Sequence, residues 1–193
     1  MLTRLSGATQ RQMRQNFLRI HSRLKQGLKG VDPQQYDVVL IDCPPNFNIV
    51  TKTAIVASDF LLVPAKPDYL STLGIDQLQR HVKELVDDHN RHVHDSGEEA
   101  IWHEIDPRLM GVLFTMISVR NGQPIQAQAQ YIEQVKSLGI PTLTSFIREN
   151  KTIYADAPEY GVPVVLEHVT GSTYESVRSE LEDLATEVAG LLK

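Results

Sequence analysis

The residues best suited to chemistry follow a short apolar run near the start of the chain. Val38 to Ile41 are continuously apolar, which is typical of a parallel strand buried on both faces, and the run ends at Asp42. Pro44 and Pro45 come next, and because proline has no backbone N–H to donate, the strand must end before them. An acid at the carboxyl end of such a strand lies where open α/β sheets bind ligands, and it can hold Mg²⁺ directly or through water. A simple turn-capping role for Asp42 explains the same pattern.

Composition and charge limit what the chain can do. Its 193 residues, 41% apolar and 22% charged, suit one globular domain with a real core. The formal net charge of −5 gives no overall drive toward nucleic acid, so any DNA contact needs a local basic patch. Cys43 is the only cysteine, so there is no internal disulfide and no cysteine metal cluster, and we interpret it as a small residue filling the turn beside Asp42. The absence of a membrane-length apolar run and of a signal peptide predicts a cytoplasmic protein.

Apolar runs and helical repeats alternate along the middle of the chain. Strands are predicted at 37–42, 59–63, 109–117 and 142–147, and helices at 49–57, from a Ser71 N-cap onward, and at 124–138. Such alternation is typical of βαβ crossovers. The predicted fold class is therefore α/β, with a mostly parallel sheet flanked by helices. A short helix at 153–157 and an extended stretch at 162–166 complete the interpretation of this region.

A helix is also predicted near each end of the chain. At residues 4–28 an apolar stripe recurs at helical spacing, formed by Met13, Phe17, Ile20, Leu24 and Leu28. This helix is cationic, which fits either a contact with DNA or membrane or a solvated outer face, and we favour the solvated face. The stretch Ser172–Glu175 has the pattern of a capping box and opens a second helix with an apolar seam that continues to Leu191.

Residues 87–108 interrupt the alternation with many charged and histidine side chains. We predict an exposed polar loop there. Imidazole and carboxylate groups are metal ligands, so a metal site is the alternative, but their spacing fits no recognised site.

Several stretches, taken in order, resemble one protein family. Ile41–Pro45 resembles the Walker B and switch II segment of the ParA/MinD group of deviant-Walker ATPases, and is most similar to the Soj-like ParA partition proteins. The later matching stretches are Val63–Tyr69 with Leu73–Gly74, Gly111–Met116, and Ala157–Val164. The resemblance covers residues 36–190. It implies an N-terminal helix and lead-in at 1–35 and the C-terminal part of a ParA-like ATPase domain at 36–193.

The resemblance also implies parts that this sequence lacks. In the family, a glycine-rich loop with a Lys followed by Ser or Thr cradles the phosphates, and no glycine in this chain is followed by lysine. Asp32–Gln34 is superficially like a second phosphate-proximal segment, but it lies too close to the strand at 37–42, and we interpret it as coincidence. The implied fold is an incomplete P-loop NTPase fold without the Walker A strand. We expect strand 37–42 to have a bare apolar edge, and the chain to be marginally stable or to pair with a missing piece.

The resemblance assigns roles to individual residues. Asp42 would hold Mg²⁺ through a water molecule, while Pro44 and Pro45 would belong to the turn that senses the γ-phosphate. Other residues of the nucleotide site would be Met116, which stands where relatives often have an adenine-reading Asn, and Arg148 with Glu149, which lie in the adenine-side loop. No catalytic residue is assigned within this chain.

A DNA-binding patch is implied as well. Arg120 matches a basic position that helps the ATP-bound dimer of partition ATPases bind DNA, and Arg148 and Lys151 would extend the patch. For Arg120, an ordinary exposed loop charge is an equal alternative. Contacts of this kind go to phosphates and should be sensitive to salt.

The function implied by the resemblance is that of a ParA-type ATPase in plasmid or chromosome partitioning. The complete protein would bind ATP and Mg²⁺ between two subunits of a homodimer, bind nucleoid DNA non-specifically, and be stimulated by a ParB-like centromere-binding protein. This chain alone should not hydrolyse ATP. ATP and Mg²⁺ are expected in the complete protein, and this chain by itself is expected to bind neither. The alternative is a non-catalytic interaction or DNA-binding module derived from such an ATPase. A membrane-cycling role is disfavoured, because the helix at 172–193 is acidic.

Overall fold

The chain divides into two compact units in the computed structural model. The model describes residues 2–32, 34–98, 100–155, 161–166 and 171–192, with side chains from residue 9 onward. The first unit consists of Met1–Leu61 and Gln77–Arg108, and the second of Leu62–Asp76 and Leu109–Lys193.

The described elements alternate between helices and strands through the middle of the chain. In order they are α1 (Leu2–His21), α2 (Arg23–Leu28), α3 (Ile49–Ala57), β1 (Phe60–Ala65), α4 (Tyr69–Ser96), β2 (Arg108–Ile117), β3 (Val119–Arg120), β4 (Gln123–Pro124), α5 (Gln126–Ser137), β5 (Thr142–Arg148), a 3₁₀ turn (Val164–Leu166) and α6 (Ser172–Leu191).

The sheet of the second unit confirms the predicted α/β class. Its strands run in the order β1-β2-β5, and β2 pairs in parallel with β5, with Ile117 opposite Arg148. The apolar core lies between this sheet and helix α5, where Val112, Ile117 and Val135 are fully buried. Strands 109–117 and 142–147 and helix 124–138 are therefore confirmed to within two residues. Strand β1 continues through Pro64, which lacks a backbone N–H but is tolerated because β1 lies at the edge of the described sheet.

Helix α6 packs on β5 through polar as well as apolar groups. The Glu187 carboxylate accepts hydrogen bonds from the backbone N–H groups of Thr144 (2.7 Å) and Ser145 (2.8 Å) on this edge strand. The predicted capping box is wrong, because Gly171 occupies the N-cap and has no side chain to bond. The predicted extension at 162–166 is also wrong, since Val164–Leu166 forms a 3₁₀ turn. The predicted helix at 153–157 is a turn as far as residue 155, and residues 156–157 lie outside the described part.

Helices form the first unit. Ile55, Val56, Leu85 and Ile105 make its apolar core, and Phe17 packs against them. Ser22 separates α1 from α2, so the single helix predicted at 4–28 is two helices in nearly continuous register.

The apolar stripe predicted on this helix is only partly buried. Leu18 is fully buried although it lies outside the stripe, whereas Met13 and Ile20 are 66% and 46% exposed. Phe17 faces inward, where its ring lies 4.5 Å from that of His92 on α4 and 3.9 Å from that of His21.

Residues 37–42 do not form the predicted strand. They are irregular, and Val38, Val39 and Leu40 are 49%, 51% and 88% exposed. The apolar run has the composition of a buried strand, but a strand exists only when a neighbour pairs with it, and no strand among the described residues does so.

Residues 87–108 are not a loop over their first half. Helix α4 continues to Ser96, since the apolar stripe that includes Leu85 runs on through His89 and Val93, which are 1% exposed each. The predicted Ser71 N-cap is also displaced, because Asp68 Oδ1 accepts the backbone N–H of Ser71 at 2.8 Å and the helix begins at Tyr69. Treating histidine as a surface residue ended the predicted helix too early.

Candidate functional site

The Walker B-like segment lies in the first unit and is exposed. The side chains of Asp42, Pro44 and Pro45 all face solvent. The backbone N–H of Asn46 donates to the carbonyl of Pro44 at 2.7 Å, which closes a tight turn after the two prolines. Asp42 therefore stands free on an irregular segment, and not at the end of a strand.

Cys43 is exposed and does not fill the turn, contrary to our interpretation. Its Sγ lies 3.8 Å from the carbonyl oxygen of Ile41. Partial desolvation and the neighbouring charge of Asp42 raise the pKa of the Cys43 thiol. The thiol is therefore kept protonated, which argues against a nucleophilic role.

The downstream side of this segment is firmly anchored to helix α3. Asn48 caps the helix, because its Oδ1 accepts the backbone N–H groups of Val50 (2.9 Å) and Thr51 (3.2 Å). The hydroxyl of Thr51 in turn donates to the carbonyl of Asn46 at 2.7 Å. Sequence reasoning did not identify Asn48, although an Asn directly before a predicted helix is a recognised N-cap signal. The turn after the prolines is thus fixed at its downstream end.

The described residues do not form a complete magnesium site. Mg²⁺ in phosphate-handling enzymes takes one or two carboxylates together with phosphate oxygens and water. No group of three His, Cys, Asp or Glu side chains among the described residues could hold a metal ion. Asp42 can offer one carboxylate, but the sequence has no Gly-Lys loop to hold the phosphates. The chain alone therefore does not supply a complete binding site for Mg²⁺.

The second unit brings together three of the predicted nucleotide-site residues. Arg148 pairs with Ile117 at the carboxyl ends of β5 and β2, and Met116 directly precedes Ile117. The backbone N–H of Glu149 donates to the carbonyl of Ile117 at 2.9 Å. The carboxyl ends of neighbouring parallel strands are where open α/β sheets bind ligands, and the role of these residues in nucleotide binding stays a prediction.

Met116 has an unusual backbone. Its φ of 56° places it in the left-handed region, which a methionine side chain rarely adopts, and its side chain is 49% exposed. Gln128 of α5 holds this conformation, because its amide accepts the backbone N–H of Ser118 at 2.7 Å and donates to the carbonyl of Met116 at 3.2 Å. Nothing in the sequence pattern pointed to Gln128. Strain of this kind often marks a ligand-binding position.

Arg148 is engaged within the chain. Its Nε and Nη2 both donate to Glu180 Oε1 of α6, at 2.8 and 2.5 Å, and the two side chains are only 22% and 17% exposed. The hydrogen bonds and charge of Glu180 raise the pKa of the guanidinium further above its usual range. The hydroxyl of Tyr154 and the second oxygen of Glu180 are buried without a partner among the described residues. This geometry leaves the Arg148 charge compensated, and little of it is available for a DNA phosphate.

The other two predicted DNA contacts are accessible. Arg120 lies in an antiparallel hairpin of β3 and β4, whose two-residue turn is Asn121-Gly122 with φ values of 51° and 76°. This pair of positive φ angles is typical of the type I′ turn that Asn-Gly favours. The Arg120 side chain is exposed, and Lys151 is 89% exposed, with its Nζ 3.9 Å from a Glu149 oxygen. Both cations can reach an external anion.

Within the described part of the chain, no helix is both long and apolar enough to cross a membrane.

Comparisons with known proteins give a consistent result. A family model described as "AAA domain" (AAA_31) matches residues 3–94. The chain is 31% identical over 144 residues to the sporulation initiation inhibitor protein Soj of Bacillus subtilis (strain 168), covering 75% of this chain and 49% of that protein. It is 29% identical over 148 residues to the chromosome partitioning protein ParA of Caulobacter vibrioides (strain NA1000 / CB15N), covering 75% and 48%. The chain thus spans about half the length of the curated relatives it matches.

A solved structure supports the fold. The cobyrinic acid a,c-diamide synthase of Mycobacterium smegmatis, crystallised with bound ADP and magnesium, superposes with a TM-score of 0.52 and 21% identity. The similarity covers 74% of this chain and 55% of that one. At this level of identity the comparison shows a shared α/β architecture.

Proposed function

The chain is related in sequence to the ParA/MinD type of ATPases, and on this premise we propose that it acts in DNA partitioning as the Walker B-bearing part of a ParA-like ATPase. The observation that carries the proposal is the 31% identity to Soj over 144 residues. Relatives named as chromosome partitioning proteins support a role in DNA partitioning. Because the chain matches only about half of each relative, the proposal is limited to one part of such an ATPase.

In this proposal the exposed Walker B-like segment completes a nucleotide site made with groups outside the sequence. Asp42 supplies a carboxylate toward Mg²⁺ through water, and Pro44 and Pro45 form the turn next to the γ-phosphate. The anchored cap at Asn48 gives this turn a fixed end. The ADP and magnesium in the M. smegmatis synthase support the choice of ligand. The chain by itself does not hydrolyse ATP, because it has no phosphate-binding loop.

The second unit has an edge of its own at the carboxyl ends of β2 and β5, which we propose as a position for adenine binding. Met116 has no amide with which to read the base, but its half-exposed thioether can pack against the flat face of a purine. Glu149 is exposed at the same edge of the sheet. Arg148 stays bound to Glu180 and does not contact the base in this proposal. We therefore assign Met116 an apolar contact with the base.

DNA binding and partners follow the family pattern in this proposal. The nucleotide-bound homodimer associates with the nucleoid in the cytoplasm through phosphate contacts from Arg120 and Lys151, which are both exposed. A ParB-like centromere-binding protein stimulates release.

The partitioning role can be tested in cells. A strain lacking the gene should lose the partitioned DNA more often, and the wild-type gene should restore segregation. Asp42→Ala should fail to restore it, whereas the matched control Asp37→Ala, an exposed acid in the same segment, should succeed. Unchanged DNA loss in the deletion strain would refute the partitioning role, and full rescue by Asp42→Ala would refute the role of that residue.

Nucleotide binding by the purified chain tests the other half of the proposal. Titration with a fluorescent ATP analogue and Mg²⁺ should show no saturable binding below about 1 mM, because no loop cradles the phosphates. Tight, Mg²⁺-dependent binding by this chain alone would overturn the claim that it needs groups from elsewhere.

A second candidate function is a DNA-binding module that works without nucleotide. The absence of any Gly-Lys pair in the sequence favours it. In that case DNA binding by the purified chain should be unaffected by ATP, and Asp42→Ala should rescue segregation as well as the wild type does. A strict requirement for ATP in DNA binding would exclude this candidate.

A further inference from the structure

We propose that helices α1 and α2 form a second surface for duplex DNA, independent of nucleotide and separate from Arg120 and Lys151. The first 31 residues contain seven of the 19 Lys and Arg residues and none of the 24 Asp and Glu residues. Within the formal net charge of −5, residues 1–31 are strongly cationic and the rest of the chain is acidic. Such asymmetry is typical of chains that bind a polyanion.

The exposed face of these helices has the chemistry of a nucleic-acid contact. Residues at positions i, i+4, i+7, i+11 and i+14 share one face of a helix. Five exposed polar side chains follow this spacing and form what we call the amide-arginine stripe: Gln12, Asn16, Arg19, Arg23 and Gln26. The opposite face carries Leu18 and His21, which are 0% and 7% exposed, so the stripe points away from the core of its unit.

The stripe is continuous across the break between the two helices. The backbone N–H of Ser22 donates to Leu18, and Ser22 accepts the N–H of Gln26, both at 2.9 Å. At about 1.5 Å per residue, fourteen residues give the stripe a length of about 21 Å. A helix of this kind fits the major groove of B-DNA, which is about 12 Å wide, whereas the deep and narrow major groove of duplex RNA does not admit one.

The cations of the stripe are not neutralised by carboxylates within the described part of the chain. Arg19 Nη2 donates to the neutral side chain of Asn16 at 3.2 Å, and Arg23 makes no ion pair with a described acid. In contrast, Arg11 and Arg14, on another face of α1, contact Glu98 at 3.2 Å and Asp95 at 3.6 Å. The fold therefore separates arginines that hold the helix in place from arginines that are left for an external phosphate.

An anionic membrane is a poorer partner for the same face. A helix that lies in a membrane interface presents large apolar side chains. Here Phe17 and Leu18 are packed inside their unit, and the bulky apolar side chains exposed on the described part of α1 are Met13 and Ile20, to one side of the stripe. Arginine with Asn and Gln amides is instead the side-chain set that contacts DNA phosphates and base edges.

The test measures the affinity of the full chain for a fluorescent 30-bp DNA duplex without nucleotide, at salt concentrations from 50 to 200 mM. Two phosphate contacts contribute about 1.8 to the slope of log K against log salt. The wild-type affinity should therefore fall about 12-fold more over this range than that of Arg19→Gln/Arg23→Gln.

The matched control is Arg11→Gln/Arg14→Gln, which removes the same amount of charge from the face of α1 whose arginines are paired with acids. It should keep the wild-type slope, and circular dichroism should show wild-type helicity for both double variants. Equal slopes for the stripe variant and the wild type would overturn the proposal, as would an equal loss in the control, because net charge would then explain binding.

Further arms separate this proposal from the one above. If Arg120→Gln/Lys151→Gln abolishes binding and the stripe variant does not, the stripe proposal fails while the partition proposal stands. Loss in the stripe variant alone supports the stripe even if the partition role fails. Tighter binding to duplex RNA, or to phosphatidylserine vesicles, than to the DNA duplex would refute the choice of DNA.

Discussion

Replacing Glu180 by Gln should leave the buried charge of Arg148 without a partner of opposite charge. The guanidinium donates twice to one Glu180 oxygen, at 2.8 and 2.5 Å, and both side chains are about four-fifths withdrawn from water at 22% and 17% exposure. Removing one partner of a fully buried ion pair costs about 3–5 kcal/mol. Because this pair keeps some contact with solvent, which screens its charges, we expect Glu180→Gln to lower the free energy of unfolding by about 2 kcal/mol.

Thermal unfolding followed by circular dichroism measures this effect. For a chain of this size, 1 kcal/mol corresponds to about 2–4 °C in Tm, so Glu180→Gln should lower Tm by about 4–8 °C. Glu182→Gln is the matched control, since Glu182 lies on the same helix and is exposed. It should shift Tm by no more than about 2 °C.

A double variant identifies the cause of the loss. Arg148→Met/Glu180→Leu removes both charges and fills the space with apolar groups, so it should recover most of the stability lost in Glu180→Gln. If Glu180→Gln and Glu182→Gln lower Tm equally, the ion pair does not stabilise the fold as we infer. If the double variant is as unstable as the single one, lost packing and not an unpaired charge explains the loss of stability.

Three other predictions follow from single positions. Met116→Gly should stabilise the chain by up to about 1 kcal/mol in urea unfolding, because glycine adopts a φ of 56° without strain; a loss of stability would show that the methionine side chain packs favourably. Asn48→Ala should cost about 1 kcal/mol in the same assay by removing the cap of α3, and Asn48→Ser should keep most of it. Burial lowers the pKa of His89 below 6.5, so the unfolded chain binds a proton more readily than the folded chain, and the free energy of unfolding should fall as pH drops below 6.5. His89→Gln should reduce this pH dependence, and an unchanged profile of stability against pH would contradict the reasoning.

The sequence predicted those parts of the fold whose signals are local. Strands β2 and β5 and helix α5 are marked by long apolar runs or by a clear helical period, ended by Gly139. Segment 37–42 has an equally strong apolar run, but pairing depends on a second strand that local pattern does not reveal. The hairpin turn Asn121-Gly122 carried a clear signal that our interpretation did not use.

The sequence could predict which candidate residues are neighbours, but not the side chains that they contact. Adjacency of Met116, Arg148 and Glu149 follows from parallel neighbouring strands, whose carboxyl ends meet at one edge. The partner of Arg148 could not be predicted, because Glu180 lies 32 residues away along the chain on an acidic helix with several similar candidates. The same is true of Gln128, since an amide that braces a strained backbone looks like any other surface glutamine in sequence.

The exposed segment Val38–Leu40 has a consequence for how long the chain survives in the cell. An exposed apolar stretch with two β-branched residues is prone to self-association, and chaperones and proteases act on chains that expose such surface. A ligand or protein that covers this stretch should therefore lengthen the lifetime of the chain.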